Sequence, residues 1–231
     1  MSNRYEFVTH WRVQGTCGEV ADILGDPLDL PRWWPSVYLQ VDELGPANAK
    51  GLGGRARLHT KGWLPYTLTW ESELIETRYP YGYSLRATGD FAGRGIWTFA
   101  QDGAFVDIVY DWQLSAEKPL LRTLSPVLKP VFEANHRWAM AQGEESLKLE
   151  LARRRATSDG ARATVPPPPG PVTYAGAALL GGIVAIGAGL AYLMLRSSRR
   201  RGAGLSPAKD AALKGCATTQ ALRDRRRGAR L

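Results

Sequence analysis

Between residues 37 and 115 the chain divides into six alternating apolar runs, with turn residues between them and no helical stretch among them. The runs fall at about 37–44, 54–61, 65–77, 82–89, 94–100 and 105–115. The turns are written in Gly, Asn, Asp and Pro, as in GPANAKGLGG, RYPYG and AQDG. Parallel neighbours need crossovers of about a dozen residues or more, usually helical. Gaps this short, with no helix in them, leave an antiparallel meander.

The flanks complete the pattern. Residues 5–13 alternate, with Phe7, Thr9, Trp11 and Val13 on one face, which predicts a strand. Thr16 followed by Glu19 at the third position reads as a capping box opening a short helix over 16–24. DPLDLPRWWP, residues 26–35, reads as a second short helix or turn between prolines. After the meander comes one long helix, about Ser125 to Arg155, with Ser125 as cap and Pro126 at its first position. The order is β-α-α-β6-α. It predicts an α+β helix-grip, a curved antiparallel sheet around a long C-terminal helix, and the volume between sheet and helix is a natural ligand cavity.

Composition divides the rest of the chain. Residues 196–231 carry eleven Lys/Arg and two Asp/Glu, a net of +9, against +8 for all 231 residues. Residues 1–195 are therefore close to neutral, and the basic excess belongs to the tail. All eight tryptophans lie between Trp11 and Trp138, in a different region. A nucleic-acid surface needs aromatics and cations together, so none is expected. Residues 1–155 form the helix-grip domain. Residues 156–171, with four consecutive prolines, read as a semi-rigid linker. Residues 172–195 carry no charge and would span roughly 36 Å as a helix at ~1.5 Å per residue, enough to cross a bilayer core. The expectation is a single-pass transmembrane helix followed by a basic, disordered tail. Ala177, Gly181, Ala185 and Gly189 recur every four residues, a stripe through which two such helices can approach as a homodimer. The positive-inside rule places the tail in the cytoplasm, whereas a chain that opens without an apolar leader keeps the domain there; the cytoplasmic domain is favoured.

Four segments carry a resemblance to a known family: LPRWWPSV (30–37), TGDFAGRGIWTF (88–99), VYDWQL (109–114) and PVFEANHRWAMAQGEESL (130–147). On these residues, 4 to about 152 resemble the START-like helix-grip (SRPBCC) superfamily, in its polyketide cyclase/dehydrase-like branch. The resemblance implies a cavity for a hydrophobic small molecule or lipid. It does not imply a reaction, because relatives include both binders and enzymes, and it transfers no catalytic set.

Alternation gives a first map of the wall. Val106, Ile108, Tyr110, Trp112 and Leu114 share one face of their strand, opposite Phe105, Asp107, Val109, Asp111 and Gln113. By the same pattern Tyr66 and Trp70 face inward, as do Tyr83 and Leu85, and Trp97. Such aromatics serve equally as plain core or as a pocket whose phenol and indole groups meet a ligand's few polar atoms. Trp34, beside Trp33 and Pro35, reads either as a lid or as buried packing. On the helical wheel of the last helix, Asn135 and His136 flank the face of Phe132, Ala139 and Gly143. Both must find partners there, as structural ties, ligand contacts or proton carriers.

If the domain is an enzyme, His136, Asn135, Tyr110 and Asp111 are the groups available for acid–base work, in a cyclase or dehydratase. A third reading is a regulatory or interaction module with a filled core. His10, His59 and His136 have no metal-ligand spacing, and Cys17 and Cys216 are far apart, so neither a metal nor a cofactor is expected. GDFAGRGIW has glycines but lies between strands, and no helix start is available to hold a phosphate. Asp90 and Arg94, on either side of that turn, read either as an exposed ion pair across the hairpin or as a polar cavity contact.

Overall fold

A computed structural model describes residues 4–49, 52–116 and 119–173, of which 116 and 119–128 are described in backbone only. The elements run β1 (Arg4–Gln14), α1 (Cys17–Leu24), a 3-10 turn at Pro27–Asp29, α2 (Leu30–Trp33), β2 (Tyr38–Gly45), β3 (Arg55–Lys61), β4 (Thr67–Thr77), β5 (Gly82–Gly89), β6 (Phe91–Asp102), β7 (Phe105–Ala116), α3 (Pro119–Arg155) and α4 (Asp159–Thr164). The strands form one sheet in the order β1-β7-β6-β5-β4-β3-β2, antiparallel throughout. β1 closes one edge by pairing with β7 from Arg4↔Ser115 to Gln14↔Phe105.

Antiparallel alternation gives the sheet two poles. The β1–α1 connection and the β2–β3, β4–β5 and β6–β7 turns gather at one, the turn pole. The β3–β4 loop, the β5–β6 turn and the passage from β7 to α3 gather at the other, the loop pole.

Local chemistry sets the element starts. Thr16 Oγ1 accepts from Glu19 N at 3.3 Å and Glu19 Oε2 accepts from Thr16 N at 2.8 Å, the capping box of α1. α3 crosses the concave face of the sheet. Its Met140, Leu147 and Leu151 are buried with Val13, Val20, Ile23 and Leu30. Gly143 is where the helix meets α2: a Cβ there would collide with the Trp34 ring, so only glycine permits this approach.

At the turn pole α3 is held by ions. The carboxylate of Glu150, 1% exposed, accepts from Arg32 at 2.6 and 2.9 Å, from Arg154 at 2.8 Å and from Arg153 at 3.1 Å. Burial alone would raise its pKa; the guanidinium groups outweigh that and hold it at about 2. Arg155 grips Glu19 through two bonds of 2.6 Å and brings that carboxyl to about 2 as well.

Three expectations are corrected. α3 starts at Pro119, not Ser125, so Pro126 lies inside the helix and Pro119 takes the first position that proline suits. β6 starts at Phe91 because its ladder with β7 continues to Phe91↔Ala116, which shrinks the expected loop to a turn at Asp90. Arg94 turns to Glu76 at 3.4 Å, while Asp90 Oδ2 accepts from Thr69 N at 3.0 Å.

The stretch 156–171 contains α4, capped by Ser158, ahead of its prolines. From residue 174 onward the expected membrane span, its small-residue stripe and the basic tail lie outside the described residues. Among the described residues no helix is long and apolar enough to cross a membrane.

Candidate functional site

Two cavities lie between the sheet and the helices. The larger, about 540 Å³, sits between α1–α2 and strands β2–β7 and opens at the turn pole beside Asp26, Leu28, Ala47 and Tyr79. The smaller, about 190 Å³, sits between α3 and the sheet and reaches the loop pole beside Gly62, Tyr66 and Phe132. Trp34, Tyr38, Trp70 and Tyr110 line both, so these four side chains form the wall between the chambers.

The inward faces of the strands supply the aromatic lining. In β7, Tyr110 stacks on Trp97 of β6 at 4.0 Å between ring centres and on Trp112 at 5.5 Å. Trp70 packs against Trp112 and Phe91, and its Nε1 donates to Thr60 Oγ1 at 3.3 Å. Trp34, 2% exposed, touches Trp11, Trp33 and Tyr38. That burial makes it part of the wall rather than a lid over the mouth.

Three phenols mark the polar points of this lining. Burial raises the pKa of Tyr38, Tyr83 and Tyr110, and Tyr38 raises the other two further by proximity. All three are therefore neutral hydroxyls at any physiological pH. Tyr83 Oη donates to Leu24 O at 2.8 Å. Among the described residues the Tyr38 and Tyr110 hydroxyls have no hydrogen-bond partner, and both belong to the shared wall. They are donors and acceptors available to a ligand in either chamber. At the loop pole, burial and then the nearby Tyr5 push Tyr66 to about 12.

Asn135 and His136 line the smaller chamber from α3. Asn135 Oδ1 accepts from Trp63 N at 3.0 Å and Leu64 N at 3.3 Å, fixing the β3–β4 loop to the helix. Gly62 makes room, since a Cβ there would overlap the Asn135 amide. His136 stacks on Phe7 at 4.2 Å, and its Nε2 lies 3.4 Å from Thr9 Oγ1. Burial, then the charge of Arg137, lowers its pKa to about 4, so the ring is neutral at pH 7.

Of the residues picked from sequence, Tyr83, Leu85 and Trp97 line the larger chamber and Tyr66, Trp112, Asn135 and His136 the smaller. Trp34, Trp70 and Tyr110 line both. Asp111 stands apart: it points to the other face of β7, accepts from Gln113 Nε2 at 3.2 Å, and lines neither chamber. Sequence reasoning missed Tyr38, Leu58 and Leu74, and also Tyr5 and Phe7. Tyr38 opens the edge strand β2, whose burial does not alternate cleanly, so the period-two signal that marked Tyr110 is absent there. Among the described residues no group of three metal-ligating side chains converges.

No family profile matches the sequence, and no curated protein matches it. Solved structures do. The Zhui aromatase/cyclase from Streptomyces sp. R1128 superposes with a TM-score of 0.53 at 15% identity, over 68% of this chain and 98% of that one. The di-domain ARO/CYC BexL of the BE-7585A biosynthetic pathway gives 0.48 at 16% identity, and this chain spans 49% of its length while 63% of this chain is covered. Norcoclaurine synthase from Thalictrum flavum gives 0.48 at 12% identity, over 67% of this chain and 90% of that one. At such identities what is shared with the first of these is the fold. A seven-stranded antiparallel sheet with one long helix across it is a helix-grip-like architecture, of the kind seen in that aromatase/cyclase.

Proposed function

We propose that the chain is a membrane-tethered binding protein for a hydrophobic small molecule or lipid held between the sheet and α3. The supporting observation is the pair of aromatic chambers with the Tyr38 and Tyr110 hydroxyls, unpartnered among the described residues, on their shared wall. Apolar walls with two fixed neutral donors suit a largely apolar ligand carrying one or two oxygens. The uncharged stretch 172–195 supplies the tether and places the domain beside a source of such ligands. The same phenols support the second reading, a cyclase- or dehydratase-like enzyme, because neutral hydroxyls can stabilise charge developing on a carbonyl oxygen. Asp111 has no part in that reading, and His136 enters it as a neutral base.

The test is organic extraction and mass spectrometry of the chain purified in lipid nanodiscs. A retained non-lipid or selectively enriched lipid molecule is expected. It should be lost in Leu74→Trp, which fills the larger chamber. Equal extracts from both proteins would overturn the reading. Conversion of the retained molecule that stops in Tyr110→Phe, with retention intact, would favour the enzyme.

A further inference from the structure

The chain does not leave the domain where α3 ends. α3 finishes at the turn pole, with Arg155 on Glu19 and on the carbonyl of Gln14. After α4 the chain doubles back. Arg153 Nη2 donates to the Pro166 carbonyl at 2.9 Å, and Lys61 Nζ donates to the Val172 carbonyl at 2.9 Å. Lys61 ends β3 at the loop pole. Between these anchors Pro168 and Pro169 are half-buried, so the segment lies on the domain as a strap. Six residues of polyproline-like chain advance roughly 19 Å, comparable to the roughly 23 Å of a seven-residue strand such as β3. A stiff strap of that reach carries the chain from one pole to the other. The uncharged stretch begins where it arrives.

The two poles differ in what they show to solvent. At the loop pole, Trp63, Leu64 and Tyr66 are half-exposed and Pro65 is exposed, beside Lys61. Asn135 holds the backbone of this loop, so its apolar side chains are displayed on a fixed frame. Trp and Tyr with an adjacent Lys are the side chains favoured at a membrane–water interface. At the turn pole Leu28, Tyr79, Tyr81 and Phe105 are exposed too, but they stand among paired and acidic charges: the mouth of the larger chamber carries Asp22, Asp26, Glu43 and Arg55, and the pole's flank carries the Arg12–Asp102 and Arg12–Asp107 pairs.

We propose that the loop pole is the face this domain turns to the bilayer, with Lys61–Tyr66 seated among the headgroups. The strap fixes that orientation, and it rests on the tethering reading above. The smaller chamber then opens toward lipid and the larger toward water. The wall of Trp34, Tyr38, Trp70 and Tyr110 stands between a lipid-side and a water-side compartment. A ligand taken from the membrane enters beside Tyr66 and Phe132 and passes that wall to reach the turn pole.

The full chain, in a Cys216→Ser background with buried Cys17 left in place, is reconstituted in phosphatidylcholine/phosphatidylglycerol vesicles. An environment-sensitive dye is attached at Pro65→Cys or at Ala47→Cys, one at each pole. Nitroxide-labelled lipid is expected to quench most of the emission at 65 and little at 47, and iodide to do the reverse. Lys61→Ala, which releases the strap, is expected to lose most of the lipid quenching at 65 while the protein still floats with the vesicles. Quenching by lipid at 47 rather than 65, or equal quenching at both, overturns the proposal while flotation leaves the tether standing. Unchanged quenching in Lys61→Ala overturns the role of the strap. A chain that fails to float with vesicles removes the tether, and the proposal with it.

Discussion

The two halves of α3 do different work. From Met140 to Arg155 the helix is a clamp: Leu147, Ser146, Glu150 and Leu151 are buried, and three ion pairs tie it to the rest of the domain, Arg32 to Glu150, Arg154 to Asp29 and Arg155 to Glu19. From Phe132 to Ala139 every inward residue is only partly buried, because the neighbour on that side is a chamber. Here the contacts are single and directional: Asn135 to the β3–β4 loop and His136 to β1. A continuous helix can therefore hold a domain together at one end and leave space at the other. The buried contacts concentrate in the half that gives the cavity only Met140.

The comparison breaks most readily at Leu147. Leu147→Ala empties a fully buried site and is expected to lower unfolding free energy by about 3 kcal/mol in chemical denaturation. Phe132→Ala, on the chamber wall, is expected to lose about 1 kcal/mol, because its ring is already half-exposed. Equal losses would show that the N-terminal half is clamp as well.

pH sharpens the contrast. His136 has a pKa of about 4 in the folded state and an ordinary value near 6.5 when unfolded. The unfolded chain therefore binds the proton first. The stability due to the neutral ring is complete above pH 6.5 and is lost as pH falls toward 4. The loss is about 2 kcal/mol after allowance for partial exposure. Glu150, lowered to about 2, keeps its contribution through that window and loses it only between about 4.5 and 2. Denaturation followed against pH should show the His136 step first, and His136→Gln should abolish it while leaving the more acidic step. An unchanged upper step in that variant would place the titration elsewhere.

A loss as small as that at Phe132, but local to one loop, is expected at Asn135. Asn135→Ala frees two backbone N–H groups that water can reach, at a cost of about 1 kcal/mol. Hydrogen exchange at Trp63 and Leu64 should accelerate while exchange in the Leu147–Leu151 turn stays slow. Faster exchange in both would mean that the halves unfold together.

Much of the architecture was legible where local chemistry repeats. β7 alternates from Val106 to Leu114 against solvent-facing partners, so its inner face could be read residue by residue, and Tyr110 and Trp112 stand where that face predicts. The capping box at Thr16 and Glu19 announced α1 at its first residue. The same rules failed where pairing overrides propensity. Gly93 looks like a turn residue, yet the ladder with β7 draws it into β6. Pro126 looks like a helix start, yet the helix begins two turns earlier.

The order of elements, the inward faces of the regular strands, and the division between an aromatic-rich region and a basic tail can all be read along the chain. These follow from periodicity and composition, which need no knowledge of distant contacts. Contacts across the fold, by contrast, make the interior two chambers with a shared wall, put Tyr38 in that wall, and end the proline strap at Lys61. Each of those depends on residues far apart in the chain, such as Tyr38 with Tyr110 or Lys61 with Val172, meeting across the sheet. A sequence pattern has no term for that meeting, because it is set by register and by how closely Gly143 and Gly62 let the helix approach.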